Sequence, residues 1–235
     1  MRLTVVHVGE SDHILVLNLH HIATDGWSQP LIVEDRTLFY NALVAGEALP
    51  AVDEARLQYA DYAYWQRELL ADDEFMAPHL QYWKDTLTDE LAVLELQPDH
   101  PRPAVMTSSG SSLPVMVSGD VGRKLSALCL KCDAPLMRGG LAVWALLLSK
   151  HSGQQEVVVG MPYANRDQPG THDLVGYFVN TLAVRVCVDA VSASFRDAVR
   201  ATSTAVGEAI SHAYVPFVKV VEAVGVVRDA SRTPV

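Results

Sequence analysis

Apolar and polar positions follow a strand's period near the amino terminus and a helix's period through much of the rest. Arg2 to Gly9 and His13 to His21 are two β-rich runs flanking the polar link Glu10-Ser11-Asp12, the pattern of a hairpin. In the second run Leu15, Leu17 and Leu19 point one way and Ile14 and Val16 the other, so a central strand in a covered sheet is expected. Ser28 followed by Pro30 predicts a capped helix start, with Ile32, Phe39 and Leu43 as its apolar stripe and Gly46 as its stop. Tyr59 to Leu70 and Asp73 to Leu87 read as two helices whose Tyr59, Tyr62, Trp65, Tyr82 and Trp83 are expected in the core.

Three prolines and a serine cluster make 97–112 a linker. After it the pattern predicts a short strand near Leu113 to Val117, helices near Val121 to Lys131 and Leu136 to His151, and a strand at Glu156 to Met161. A loop from Pro162 to Asp173, a strand at Leu182 to Val188, a helix from Ser194 to about His212 and a short helix after Pro216 complete the order. In the long helix Phe195, Val199, Thr202, Val206 and Ile210 recur at helical spacing. Irregular alternation of strands and helices predicts a mixed sheet in an α/β (α+β layered) architecture.

Composition narrows the function. Of 235 residues 49% are apolar and 20% charged, the balance of an ordinary folded protein. A net charge of −10 repels phosphate backbones and anionic lipid, so neither nucleic acid nor membrane is an expected partner. No apolar run approaches the roughly 20 residues of a membrane span, and a cytoplasmic location is the default expectation. Cys129, Cys132 and Cys187 lack the companions of a zinc site and are expected as buried thiols.

The candidate chemistry lies at residues 20 to 26, His-His-Ile-Ala-Thr-Asp-Gly, where the expected strand gives way to the loop before a helix. A strand end holds a side chain rigidly, a neutral imidazole can relay a proton near pH 7, and glycine admits close approach of a substrate. Neighbouring strand residues face opposite sides and do not readily share an ion, so no metal site is expected. Periodicity groups His20 with Asn18 on the more polar face and does not by itself select the active histidine.

Residues His20 to Ser28 resemble the HHxxxDG signature of nonribosomal peptide synthetase condensation domains, in the wider chloramphenicol acetyltransferase-like superfamily. Tyr59 to Gln66, Val175 to Leu182, His212 to Phe217 and Arg228 to Pro234 resemble four further family blocks in family order. Tyr214 and Val218 stand where the family usually has acids. The family's amino-terminal sheet would precede Met1 and its last block runs on past Val235, so the resemblance is to the middle of a condensation domain, truncated at both ends.

That resemblance implies a V-shaped pseudo-dimer of two lobes around a tunnel. Residues 1–98 would be the remainder of the amino-terminal lobe, 99–112 a linker and 113–235 most of the carboxy-terminal lobe. It implies amide-bond formation between aminoacyl or peptidyl thioesters delivered on the phosphopantetheine of donor and acceptor peptidyl carrier proteins, with an adenylation domain in the same synthetase and no cofactor bound directly. His21 matches the family's catalytic histidine, which orients the attacking amine and takes its proton or stabilises the tetrahedral intermediate. His20 accompanies it in the motif. Asp25 matches a structural carboxylate, for which Arg166 is the expected ion-pair partner, since a buried charge needs one. Gly26 would let the donor's pantetheine arm or carbonyl pass. Trp27, Ser28 and Asn180 fall at the substrate tunnel, Trp27 expected mainly to pack beneath the loop and Asn180 either to bond in the tunnel or to form a turn. The rival readings are an epimerising or ester-forming relative and a catalytically inert module that docks carrier proteins or recruits another enzyme.

Overall fold

The computed structural model describes residues 1–51, 57–87, 93–107, 109–188, 194–225 and 229–233. Four strands and seven helices occur among them. They are β1 (Arg2–His7), β2 (His13–Asn18), α1 (Ser28–Ala45), α2 (Tyr59–Ala71), α3 (Asp73–Thr86), α4 (Gly119–Leu130), α5 (Leu136–Ser152), β3 (Glu156–Tyr163), β4 (Asn180–Cys187), α6 (Phe195–Ser211) and α7 (Phe217–Val224). The expected mixture of helix and sheet is present. The Arg228 to Pro234 block has its two end residues outside the described set.

The backbone falls into two compact units, Met1–Asp72 with Tyr163–Asn180, and Asp73–Pro162 with Thr181–Val235. In the first, β1 and β2 form the expected hairpin, antiparallel from Arg2↔Asn18 to His7↔His13. Two expectations fail here. β2 stops at Asn18 rather than His21, and it is not covered: Ile14 is 55% exposed and Val16 47%. Among the described residues its sheet has two strands, and both faces of β2 are largely exposed. The stripe of α1 is likewise only partly buried, with Leu43 exposed and Ala42 covered instead. The helix does stop at Gly46, whose φ of +67° suits a residue without a Cβ. The core of this unit gathers Tyr62, Leu174 and Phe178 with Tyr59 packed against them. Trp65, expected inside, is 37% exposed.

In the second unit the covered strand is β4. Leu182, Ala183, Val184 and Val186 are all buried, the continuous apolar run of a strand masked on both faces. β3 pairs with it. Arg185 crosses the pair to Glu156 and also donates to the Thr86 carbonyl at 3.1 Å. Cys187 sits beside Glu156 and is exposed, against expectation, while Cys129 and Cys132 are buried. The expected strand near 113–117 is not formed; those residues are irregular and Leu113, Val115 and Met116 are at least 80% exposed. The long helix α6 starts as its sequence requires, the Ser194 hydroxyl accepting from Asp197 N–H and Asp197 Oδ2 from Ser194 N–H. Its buried face is Val199, Thr202, Val206 and Ala209. Trp83, fully buried on α3, donates its indole N–H to the His212 carbonyl at 3.0 Å.

Helices α4, α5 and α6 share a core in which Cys129, Cys132, Ala134, Ala142 and Val199 meet. Gly139 makes the approach of α4 and α5 possible, because a Cβ there would lie 2.2 Å from Cys129 Sγ. Gly139→Ala gains helix propensity of about 1 kcal/mol, but overpacking costs about 1–3 kcal/mol. Urea denaturation of Gly139→Ala is expected to show a net loss of stability. In a Cys129→Ala background the sign should reverse, since the Cβ of residue 129 stands 3.9 Å away; a loss of equal size in both backgrounds would exclude the sulfur contact as its cause.

Candidate functional site

The chain leaves β2 at Asn18 and makes a single 3-10 turn, His21–Ala23, before α1. His20 begins that turn with an extended backbone, and its Nδ1 accepts from Ile22 N–H at 3.0 Å. A neutral His20 therefore carries its ring proton on Nε2, and its inner nitrogen is engaged by backbone. Thr24 ends the turn, again extended, and directs Asp25 inward. The two adjacent histidines thus differ in kind. His20 caps a turn, whereas the His21 ring lies exposed beside a pocket of about 280 Å³ lined by His21, Ile22 and Tyr177.

Asp25 has no exposed surface. Its Oδ1 accepts from Ser28 N–H at 2.8 Å and lies 2.7 Å from Ser28 Oγ, and its Oδ2 accepts from Phe178 N–H at 3.1 Å. The expected ion pair with Arg166 forms: Nη2 stands 3.0 Å from Oδ1 and 3.2 Å from Oδ2, and Arg166 is 3% exposed. The other arm of the guanidinium, Nη1, donates to the carbonyls of Thr171 at 2.6 Å and Leu174 at 2.7 Å, and the plane lies 4.0 Å from the Phe178 ring centroid. Arg166 therefore folds the 171–178 segment around itself while neutralising Asp25.

Ser28, the expected cap of α1, does not take that place. The cap position falls to Trp27, and the carboxylate of Asp25, not the Ser28 hydroxyl, satisfies the first free N–H of the helix. The Ser28 hydroxyl is instead fully buried, accepting from Arg166 Nη2 and from Gly176 N–H and lying within reach of the Gly176 carbonyl at 3.0 Å. It is thus sealed in this network rather than at the pocket surface. Trp27 is 45% exposed, with its indole N–H donating to the His172 carbonyl at 2.9 Å and its ring edge-on to that of His172. Gly26 has open space where a Cβ would be. Asn180 opens β4 and is half-buried.

Three contributors carry no signal of their role in the apolar pattern. Tyr59 Oη donates to the Tyr177 carbonyl at 2.7 Å, and burial, followed by the charge of Asp25, raises its phenol pKa so that the donor proton stays in place. Gly176 admits the Tyr59 ring, which would be 2.2 Å from a Cβ. Tyr177 supplies a wall of the pocket. Two of them sit in the Val175-Gly-Tyr-Phe run, where a glycine before an aromatic residue was the available signal. Among the described residues no group of three or more His, Cys, Asp or Glu could hold a metal ion.

The Condensation domain family matches the chain over residues 1–235. The chain belongs to the condensation domain family. It is 36% identical over 234 residues to a linear gramicidin synthase of Brevibacillus parabrevis and 35% identical over 233 residues to a surfactin synthase of Bacillus subtilis strain 168. These matches cover 100% and 99% of this chain, which spans only 4% and 6% of those relatives. Among solved structures it superposes on the X-domain from teicoplanin biosynthesis with a TM-score of 0.88 at 26% identity, covering 99% of this chain and 52% of that one. A four-domain nonribosomal peptide synthetase bound to AMP and glycine gives 0.82 at 28% identity, covering 99% and 17%. The condensation domain fold in these structures agrees with the mixed architecture described above.

In this condensation domain burial is the largest influence on Asp25 and opposes its charge, but the bonds from Ser28 and Phe178 and the field of Arg166 outweigh it, holding the carboxyl below its ordinary value of 3.8. A carboxyl lowered by folding stabilises the fold fully above the unfolded value, and that contribution is lost as pH falls from there through the native value. Chemical denaturation of the wild type is therefore expected to show stability falling from about pH 5 downward, with that component missing in Asp25→Asn. Arg166→Ala, which strands a buried carboxylate, is expected to cost about 3–5 kcal/mol at pH 7. An Arg166→Ala protein as stable as wild type would show that the pair does not hold the loop.

Proposed function

We propose that this condensation domain forms an amide bond between two acyl groups held as phosphopantetheine thioesters, with His21 as the residue at the reacting atoms. The acceptor's amine nitrogen attacks the donor's thioester carbonyl. A C–N bond forms, the C–S bond breaks, and the pantetheine thiol leaves with a proton taken from the amine. The imidazole of His21 orients that amine and takes its proton, or stabilises the charge of the tetrahedral intermediate; a general-base role is worth about 10²- to 10⁴-fold in rate. Holding two tethered reactants in line replaces a bimolecular encounter and adds to this.

The observation that carries this reading is the division of labour inside the motif: His21 faces an open pocket while His20 and Asp25 are engaged in holding its loop. Space beside Gly26 suits the passage of a donor arm. The partners are donor and acceptor carrier proteins, with an adenylation domain in the same synthetase, in the cytoplasm. On this proposal residues 1–98 and 113–235 belong to two lobes joined through 99–112, with Trp27 and Asn180 near the substrate path. The names of the relatives, gramicidin and surfactin synthases, support this reading.

A second reading has its own support, since the X-domain from teicoplanin biosynthesis was also solved in a complex with OxyB, and that chain matches with a TM-score of 0.87. On that reading the domain recruits another protein and makes no bond. Donor and acceptor carrier proteins loaded with aminoacyl groups, incubated with this chain and monitored by mass for dipeptidyl thioester, separate the two. Wild type is expected to give product and His21→Ala to reduce its rate by at least about 10²-fold, while His20→Ala keeps more activity than His21→Ala. Undiminished product from His21→Ala removes that residue from the mechanism, and carrier binding with no product from wild type favours recruitment.

A further inference from the structure

Among the described residues no hydrogen bond reaches the His21 ring, so its orientation depends on packing alone. Its ring contact is Tyr177, whose centroid lies 5.5 Å away with the planes at 79°, the edge-to-face geometry that aromatic quadrupoles favour. The backbone under Tyr177 is held on every side. Gly176 N–H bonds Ser28 Oγ, the Tyr177 carbonyl accepts from Tyr59 Oη, and Phe178 N–H donates to Asp25 Oδ2. The same Asp25 and Ser28 fix the loop that carries His21. The backbone beneath Tyr177 and the loop that follows His21 therefore meet in one buried polar network, while the two rings themselves rest on their mutual contact.

We propose that Tyr177 is a positioning residue, which sets the angle at which the His21 imidazole meets a bound acyl carrier arm; this rests on the function proposed above for His21. The side chain, rather than the backbone it stands on, performs this task. Its phenol oxygen has no hydrogen-bond partner among the described residues, so the aromatic face and edge are what His21 feels. Tyr177 is 42% exposed and Ile22 is 73% exposed, and with His21 they line the pocket, one aromatic and one aliphatic. A residue at this position that lacks a ring leaves His21 free to turn, and the fraction of time spent in a reactive orientation falls.

Proton NMR of the full chain tests this without substrate. The ring C–H signals of His21, assigned by their loss in His21→Gln, are expected to move in Tyr177→Leu, while Tyr177→Phe leaves them near their wild-type positions and other histidines do not move in either variant. Both substitutions keep the carbonyl that Tyr59 bonds, so the fold is expected to survive them. With loaded carrier proteins, Tyr177→Leu is expected to lower kcat by about three- to tenfold, with KM for the loaded carriers little changed, and Tyr177→Phe to restore it. Unmoved His21 signals in Tyr177→Leu overturn the positioning role whatever the turnover does. Undiminished turnover in His21→Ala overturns the function proposed for His21 instead, and leaves the NMR result standing.

Discussion

A carboxylate without access to water requires cations and donors around it, and Asp25 obtains all of them from its own loop and from residues more than 140 positions further along the chain. The desolvation cost of such a charge is several kcal/mol. Arg166, the Ser28 backbone and hydroxyl, and the Phe178 backbone offset it together. Because each of those bonds has a short range and a preferred angle, the charge acts as a template. The segment 171–178 is drawn against the start of α1, the 3-10 turn is held at a defined exit from β2, and the pocket beside His21 acquires its second wall. The shape of the pocket is therefore set by an interaction whose members do not line it.

The two histidines of the motif illustrate how one local geometry separates roles that sequence places side by side. An extended residue before a 3-10 turn turns its ring nitrogen back onto the turn's free N–H, which commits His20 to backbone. The next residue projects away from that contact. A period-two reading of the strand cannot make this distinction, since the strand has already ended at Asn18. The resemblance to the family pointed to His21, and the physical difference between the rings is visible only once the turn is built.

Elsewhere the patterns of apolar residues foretold helices and missed covering. The boundaries of α2, α3, α4 and α5 lie within a few residues of those read from periodicity, capping residues and glycine stops, all of them local signals. The hairpin was legible for the same reason. Burial of β2 and the strand near 113–117 were not, because an apolar run states that a residue gains by being covered without stating what lies opposite it. β4 carries a similar run and is covered, whereas β2, although paired with β1, stays exposed, and 113–117 is irregular.

By itself the sequence determined the helices and turns, the acidic balance that disfavours phosphate, and the residue types and spacing of the His-His-Asp-Gly signature, since each depends on composition or on interactions within a few positions. Through the family resemblance, which marks Asp25 as a structural carboxylate, it also named Asp25 and Arg166 as a pair, since a buried charge needs its opposite. Tertiary structure alone decided that Ser28 serves the buried network instead of capping a helix, that Gly176 exists to admit the ring of Tyr59, and that Tyr177 stands against His21. Those outcomes depend on the close approach of segments remote in the chain, where the energies are set by distance and angle, so that even the glycine before an aromatic residue at 176–177 does not say which ring it admits.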